Sequence, residues 1–122
     1  MSTKHLFLTL FSILILASAC NKDEECTVLA DTIVGTWTSV ISTSDIEFQS
    51  NGTLIDPEDS IIGGELNGTV LDEKSWSVSN DSLHVRAESG AQFLSASFDV
   101  PSFDCDVVTL EFVGIEFTLN RK

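Results

Sequence analysis

The side chains that most often carry out acid–base or nucleophilic chemistry are few in this sequence. His84 is the only histidine after residue 5, and tyrosine is absent. His84 lies between Leu83 and Val85 in an alternating segment, which predicts an outward-facing, solvated side chain. Serine is abundant, but no Gly-x-Ser-x-Gly motif and no neighbouring base indicate an activated hydroxyl. The sequence therefore predicts no catalytic residue and a protein that is not an enzyme.

The 19 Asp and Glu residues raise two further possibilities. Two of them could act as general acid and base in glycoside hydrolysis, but no spacing singles out a pair. Asp56, Glu58 and Asp59 could offer oxygen ligands to Ca²⁺, but their segment lacks the EF-hand pattern. We interpret this segment as a solvated loop, and we expect neither a metal site nor a cofactor.

The first 19 residues have the order of a secretory signal peptide. Met1–His5 contains a lysine and no acid, Leu6–Leu16 is almost entirely apolar, and Ala17–Ala19 is small. A transmembrane anchor is the alternative. It is disfavoured because the apolar stretch to Ala19 has 14 residues, whereas a spanning helix needs roughly 20.

The end of this segment, Leu-Ile-Leu-Ala-Ser-Ala-Cys, resembles the lipobox of bacterial lipoproteins. The resemblance implies cleavage before Cys20, acylation of Cys20 with chains such as palmitate, and attachment to the outer membrane through that lipid. Ordinary cleavage after Ala19 is the alternative.

The residues that follow, Lys22, Asp23 and Glu24, resemble a surface-export tag of lipoproteins in one Gram-negative lineage. The resemblance implies a domain on the cell surface, facing outward. The alternative is a solvated, charged tether that any lipoprotein could carry. We therefore divide the chain into a signal peptide (1–19), an acidic tether (20–33) and a folded domain (34–122).

The formal net charge of −13 restricts the partners of the protein. Nucleic-acid binding needs a basic face to neutralise phosphates, so we expect no nucleic-acid partner. The same charge would repel anionic lipid headgroups, so attachment to a membrane should depend on the acyl chains.

Cys26 and Cys105 are the two cysteines that remain if Cys20 is acylated. An even number of cysteines in an exported chain indicates a disulfide. A metal site is disfavoured because the sequence has no Cys-x-x-Cys and a single histidine after the signal. The bridge would close a loop of 80 residues, which the chain-entropy argument values at roughly 4 to 5 kcal/mol.

From Val34 onward the hydrophobic pattern has a period of two, interrupted by turn residues, and no segment has a helical period. The Asn51-Gly52 pair predicts a two-residue hairpin turn, and Pro101 is expected to end a strand. The predicted strands are 34–41, 45–49, 52–55, 74–79, 82–88, 91–100, 106–113 and 115–121.

Eight short strands, each with one apolar face, predict an all-β fold: a small antiparallel up-and-down barrel. The segment 57–72 is expected to be a loop, with a short strand at 68–71 as the alternative. Its strand content decides the topology. With eight strands in the barrel, Cys26 and Cys105 lie at the same end, whereas a ninth strand would separate them.

The layout resembles small lipocalin-like lipoproteins. The residues that carry the likeness are Gly35-Thr36-Trp37, the segments 48–53, 74–78 and 80–83, and the C-terminal 117–122. The resemblance implies that Trp37 closes the barrel floor and packs near a basic residue on the last strand, for which Arg121 is the candidate. The barrel is much shorter than that of lipocalins that carry ligands.

These observations leave three functional hypotheses. The first is a non-enzymatic, lipid-anchored module that binds a small apolar ligand or an envelope component. The second is an interaction or envelope-structural lipoprotein whose barrel is filled by its own side chains. A carbohydrate hydrolase is the least favoured. A cavity of several hundred Å³ would favour the first hypothesis over the second.

Overall fold

The computed structural model describes residues 26–122, which form an antiparallel, nearly closed barrel-like sheet preceded by one helical turn. The helix α1 is Leu29–Thr32. The strands are β1 Gly35–Ser39, β2 Ser42–Phe48, β3 Leu54–Ile55, β4 Glu65–Leu66, β5 Thr69–Val70, β6 Glu73–Ser79, β7 Ser82–Ser89, β8 Gln92–Phe103, β9 Val107–Phe112 and β10 Ile115–Arg121.

Eight of these strands form one sheet in the order β3-β2-β1-β10-β9-β8-β7-β6, so the all-β prediction is confirmed. The last strand pairs with the first, with Trp37 opposite Arg121. The gap in the sheet lies between β3 and β6, where a single bridge joins Thr53 to Ser75. Trp76 narrows this gap, because its backbone N–H donates to the Gly52 carbonyl and its indole N–H to the Gln49 carbonyl, both at 2.9 Å.

The segment 57–72 adds no strand to the barrel. Its two short strands, β4 and β5, pair only with each other among the described residues. The barrel-like sheet therefore keeps eight strands, and Cys26 and Cys105 lie at the same end of it, as predicted. We call the end that carries Cys26 and Cys105 the base, and the opposite end the mouth.

Side chains that alternate along the strands fill the barrel with a single hydrophobic core. Leu83, Val85 and Ala87 on β7, for example, are all buried and all face inward. The largest fully buried side chains are Trp37, Phe48, Ile33, Ile46, Leu71, Leu83, Leu110, Leu119 and Val108.

The first hairpin differs from its prediction. We expected one strand over 34–41, but β1 ends at Ser39 and the chain turns at Val40 and Ile41. The turn after β2 also differs. Instead of a two-residue turn, Gly52 N–H donates to the Gln49 carbonyl and Gly52 has a φ of +92°. This is a three-residue loop that ends in a glycine bulge.

Pro101 does not end β8, which continues to Phe103. The pairing of β8 with β9 shifts register between Asp99 and Ser102. Proline is tolerated within a sheet at such a bulge, because no ladder hydrogen bond is required from it there.

The folded domain also begins earlier than the expected boundary at residue 34. The side chains of Leu29 and Ile33 are buried in the core, and α1 contacts β6 across the base. The last part of the segment that we expected to be a tether therefore closes the base of the barrel. Four residues are too few for a helical period to be visible in the sequence.

Candidate functional site

An apolar cleft of about 400 Å³ lies at the mouth of the barrel. One wall is formed by inward-facing residues of β8, β9 and β10, and the other by the loop that follows β3. Phe112 and Ile115, at the rim, are 45% and 70% exposed, so the cleft opens to solvent on that side. Its lining residues are Ile41, Ser60, Ile61, Ile62, Gly63, Leu94, Ser95, Ala96, Phe98, Phe112, Ile115 and Phe117.

The loop wall of the cleft is organised by the buried carboxylate of Asp56. Its oxygens accept hydrogen bonds from the backbone N–H groups of Ser60 (2.9 Å), Ile61 (2.7 Å) and Ile62 (3.1 Å). These bonds turn the chain back on itself and direct the side chains of Ile61 and Ile62 into the core. The carboxylate provides hydrogen-bond acceptors for backbone N–H groups of the loop, which an apolar side chain at this position could not provide.

Lys74 on β6 fixes the same loop from the side. Its ammonium group donates to the Asp56 carbonyl at 2.7 Å and to the Asp59 carboxylate at 2.6 Å, and lies 3.5 Å from the Asp56 carboxylate. The acidic segment that we expected to be solvated is thus a structured wall, and Asp56 is a structural residue.

Glu58 attaches the loop to the neighbouring strand β2. Its carboxylate accepts hydrogen bonds from the Thr43 backbone N–H at 3.2 Å and from the Thr43 hydroxyl at 2.6 Å. Hydrogen bonding from the Ser44 side chain, followed by that from Thr43, lowers the pKa of Glu58 from 4.5 to about 2. The loop is therefore held on both sides, by β2 and by β6.

Below the cleft the barrel is filled. Trp37, Ile46, Phe48 and Leu119 are inaccessible to solvent. The Phe48 and Trp76 rings meet edge to face with centroids 5.8 Å apart. The free space thus lies at the mouth, and the lower part of the barrel has a packed core.

At the base, Gly35, Trp37 and Arg121 lie together. The Arg121 guanidinium stacks over the Trp37 ring at 4.2 Å, and the Trp37 indole donates to the Ile33 carbonyl at 2.8 Å. A Cβ at Gly35 would lie 2.6 Å from an Arg121 nitrogen, so the glycine leaves room for the guanidinium. The last strand thus supplies the basic residue that lies next to Trp37.

Arg121 also joins the three chain segments that meet at the base. Its guanidinium donates to the carbonyls of Cys105 (2.7 Å), Val34 (3.3 Å) and Thr32 (2.5 Å). The Thr32 carbonyl lies at the C-terminal end of α1, where a cation is favourable. Arg121 therefore holds α1, the start of β1 and the β8–β9 turn to the last strand.

The predicted disulfide between Cys26 and Cys105 is confirmed, with Cα atoms 5.1 Å apart. Asp104 next to it accepts hydrogen bonds from the backbone N–H groups of Asp106 and Val107, both at 2.8 Å. These bonds, the one from Asp106 first, lower the pKa of the Asp104 carboxyl. The bridge thus links the N-terminal segment to an ordered turn at the base.

His84 lies on the outer face of the sheet, as its alternation with Leu83 and Val85 predicts. Its two ring nitrogens lie 2.7 Å from the hydroxyls of Ser79 and Ser97. These two contacts hold the ring on the outer face, and His84 does not line the cleft.

The other predicted site residues, Cys20, Lys22, Asp23 and Glu24, lie outside the described residues. Within residues 26–122, no three His, Cys, Asp or Glu side chains are grouped closely enough to hold a metal ion. The one helix of this part of the chain is also too short and too polar to cross a membrane.

The residues that build the loop wall, above all Asp56, Ile61 and Ile62, were not predicted from the sequence as part of a site. The available signal was the adjacent pair of isoleucines inside an otherwise polar and acidic loop. Such a pair indicates that part of the loop is buried, and buried loop backbone requires a polar partner.

Comparison of the chain with models of protein families, with curated proteins and with solved structures finds no match.

Proposed function

We propose that this protein is a lipid-anchored, non-enzymatic binding module whose barrel mouth takes up a small apolar ligand. The observation that carries the proposal is the cleft of about 400 Å³ between the loop wall and β8–β10. Pockets for small molecules typically measure ~300 to 1,000 Å³ and have mostly apolar walls. Three other hollows on the described surface have similar volumes, but the cleft differs from them in its lining, in which ten of twelve residues have no polar side chain.

The attachment of the loop supports a preformed cleft. Asp56, Glu58 and Lys74 fix it through hydrogen bonds to backbone and side chains on both sides. A wall held in place before binding reduces the conformational entropy that binding would otherwise cost.

Membrane attachment is proposed from the sequence, through acylation of Cys20 and surface export directed by Lys22, Asp23 and Glu24. Cys26 lies at the base, so an anchor six residues earlier in the chain would leave the mouth facing away from the bilayer. Replacement of Cys20 by Ser should leave an uncleaved precursor, and normal processing of that variant would refute the lipid anchor.

The lipocalin-like character of the domain is likewise a proposal. It is supported by the stacking of Arg121 on Trp37 at the base and by the pairing of the last strand with the first. A non-enzymatic role is supported by Asp56, the buried acid of the described chain, whose carboxylate is occupied by three backbone donors.

A second candidate function is that of an interaction or envelope-structural lipoprotein without a ligand. The filled lower barrel favours it, and so do the exposed apolar hairpin tips at the mouth. Val40 is 91% exposed and Val113 is 84% exposed. A partner protein could cover these tips without entering the cleft.

Filling the cleft distinguishes the two candidates. Ala96 lines the cleft on β8, so Ala96→Phe should occupy the space a ligand would use. We expect the mature protein in lipid nanodiscs to be labelled at the cleft by a photoreactive dodecanol, and Ala96→Phe to lose about tenfold or more of that labelling. Ser77→Phe is the matched control, because Ser77 is exposed on the outer face of β6 and does not line the cleft.

A second variant, Ile41→Asp, tests the cleft without adding a large side chain to it, so a loss of labelling cannot be caused by altered packing around residue 96. Ile41 is a 38% exposed rim residue, so its replacement should leave the fold intact while making the cleft less apolar. Equal labelling of the wild type and both cleft variants would contradict the proposed function and favour the ligand-free alternative.

A further inference from the structure

We propose that the mouth cleft selects uncharged or cationic amphiphiles and excludes anionic ones such as free fatty acids. This inference rests on the proposed binding function and concerns the charge of the ligand. It follows from where the chain places its few cations.

The lining of the cleft contains no charged side chain. Its polar side chain is the hydroxyl of Ser60, because the other serine of the lining, Ser95, pairs with Arg86 on the outer face of the sheet. The Ser60 hydroxyl could bond to an uncharged polar head such as an alcohol or an ester. It cannot neutralise a carboxylate, whose transfer from water to such a site is costly without a charged partner.

The cation nearest to the loop wall, Lys74, is already occupied. It is bound to the carboxylates of Asp56 and Asp59 and to the Asp56 carbonyl, and its side chain is 9% exposed. Its removal from these partners would leave the buried Asp56 carboxylate without its counter-ion. Lys74 is therefore not a ligand for an incoming anion.

The other cations of the described chain lie elsewhere. Arg121 is at the base, bound to three backbone carbonyls. Lys122 pairs with Asp45, and Arg86 lies over the Phe93 ring near Glu88 on the outer face. None of the three lines the cleft.

The charge around the cleft has the opposite sign. Glu58 and Asp59 belong to the same loop as Ser60, and the whole chain has a formal net charge of −13. Such a field attracts cations and repels anions before any contact forms. An anionic head would therefore meet both a desolvation cost and a repulsive field. A cationic head meets a desolvation cost that the attractive field offsets, and an uncharged head meets neither.

Three probes with the same photoreactive tail test the proposal: dodecanol, dodecanoate and dodecyltrimethylammonium. They are added to the mature protein in nanodiscs of zwitterionic lipid, at a pH where dodecanoate is ionised. The yield of cross-linked peptides around Ile62 and Leu94 reports occupancy of the cleft. We expect dodecanoate to label the cleft about tenfold or more weakly than the other two.

A lysine placed at the cleft should reverse this order. Ile115 lines the rim of the cleft and is 70% exposed, so Ile115→Lys should raise dodecanoate labelling and lower that of dodecyltrimethylammonium. Ser77→Lys adds the same charge on the outer face of β6 and is the matched control. The proposal is overturned if dodecanoate labels the wild type as well as dodecanol does, or if Ser77→Lys raises dodecanoate labelling as much as Ile115→Lys. Absence of labelling by all three probes would refute the proposed function itself.

Discussion

Arg121 is the residue on which the base of the barrel depends most. Its planar guanidinium reaches three carbonyls and stacks on Trp37, a geometry that a lysine ammonium cannot reproduce. We expect Arg121→Lys to lower the free energy of unfolding by about 1 to 3 kcal/mol. The neighbouring Lys122→Gln is the control and should change it by less than about 1 kcal/mol, because its pair with Asp45 is exposed. Urea unfolding of the two variants measures the difference, and equal effects would contradict this role.

Val113 has a strained backbone conformation that a substitution could relieve. Its φ is +52° at the tip of the β9–β10 hairpin, a conformation that is unfavourable for a β-branched residue by about 1 to 2 kcal/mol. Val113→Asn should therefore raise the free energy of unfolding by about 1 kcal/mol. Val40→Asn is the control, since Val40 is equally exposed at a hairpin tip but has no positive φ. Thermal unfolding compares them, and a destabilised Val113→Asn would show that the valine side chain makes a contact that outweighs the strain.

At the scale of elements, the loop wall should respond to acid through Glu58. Its folded pKa of about 2 lies below the ordinary value of 4.5, so its stabilising contribution is complete above pH 4.5 and is lost as the pH falls towards 2. The difference in urea midpoint between wild type and Glu58→Gln should therefore be constant above pH 4.5 and shrink below it.

The control for this pH series is Glu116→Gln, which makes the same change of net charge on β10. Subtraction of its effect removes the general contribution of charge. A difference between wild type and Glu58→Gln that is the same at pH 2 as at pH 7 would contradict the attachment of the loop through Glu58.

The later strands could be predicted from the sequence almost to the residue, and the first hairpin could not. The strand predicted over 82–88 is Ser82–Ser89, and the one predicted over 115–121 is Ile115–Arg121. In these strands the alternation of apolar and polar residues, together with the turn residues between them, is sufficient to predict the strand ends. Val40 and Ile41 were predicted to end a strand because they are apolar, but they form an exposed turn. Whether such residues extend a strand depends on their tertiary contacts, which the local sequence does not contain.

The candidate site was less predictable than the fold. The loop wall depends on Asp56 meeting backbone donors four to six residues later and on Lys74, eighteen residues later. Such contacts produce no periodic pattern in the sequence, so they could not be predicted from it. The contact of Trp37 with Arg121 was expected from the family resemblance alone, since no spacing rule brings together residues from the first and last strands.

For the whole molecule, the disulfide should supply a large share of the stability. Cys26 and Cys105 are 79 residues apart, so the bridge restricts most of the unfolded chain. We expect reduction, or a double Cys26→Ser, Cys105→Ser variant, to lower the free energy of unfolding by about 2 to 5 kcal/mol. Urea unfolding with and without reductant measures this, and unchanged midpoints would contradict it. The double variant should be insensitive to reductant, which controls for effects of the reagent.

Native mass spectrometry of the mature protein, extracted from its own membrane, shows whether the barrel mouth holds a ligand. We expect the wild type to retain an apolar molecule that is neutral or cationic, one per chain, and Ala96→Phe to have the mass of the bare lipoprotein. Ser77→Phe should retain the molecule as the wild type does, because the cleft is unchanged. A wild type with only the bare lipoprotein mass would contradict the claim that the barrel mouth is a ligand site.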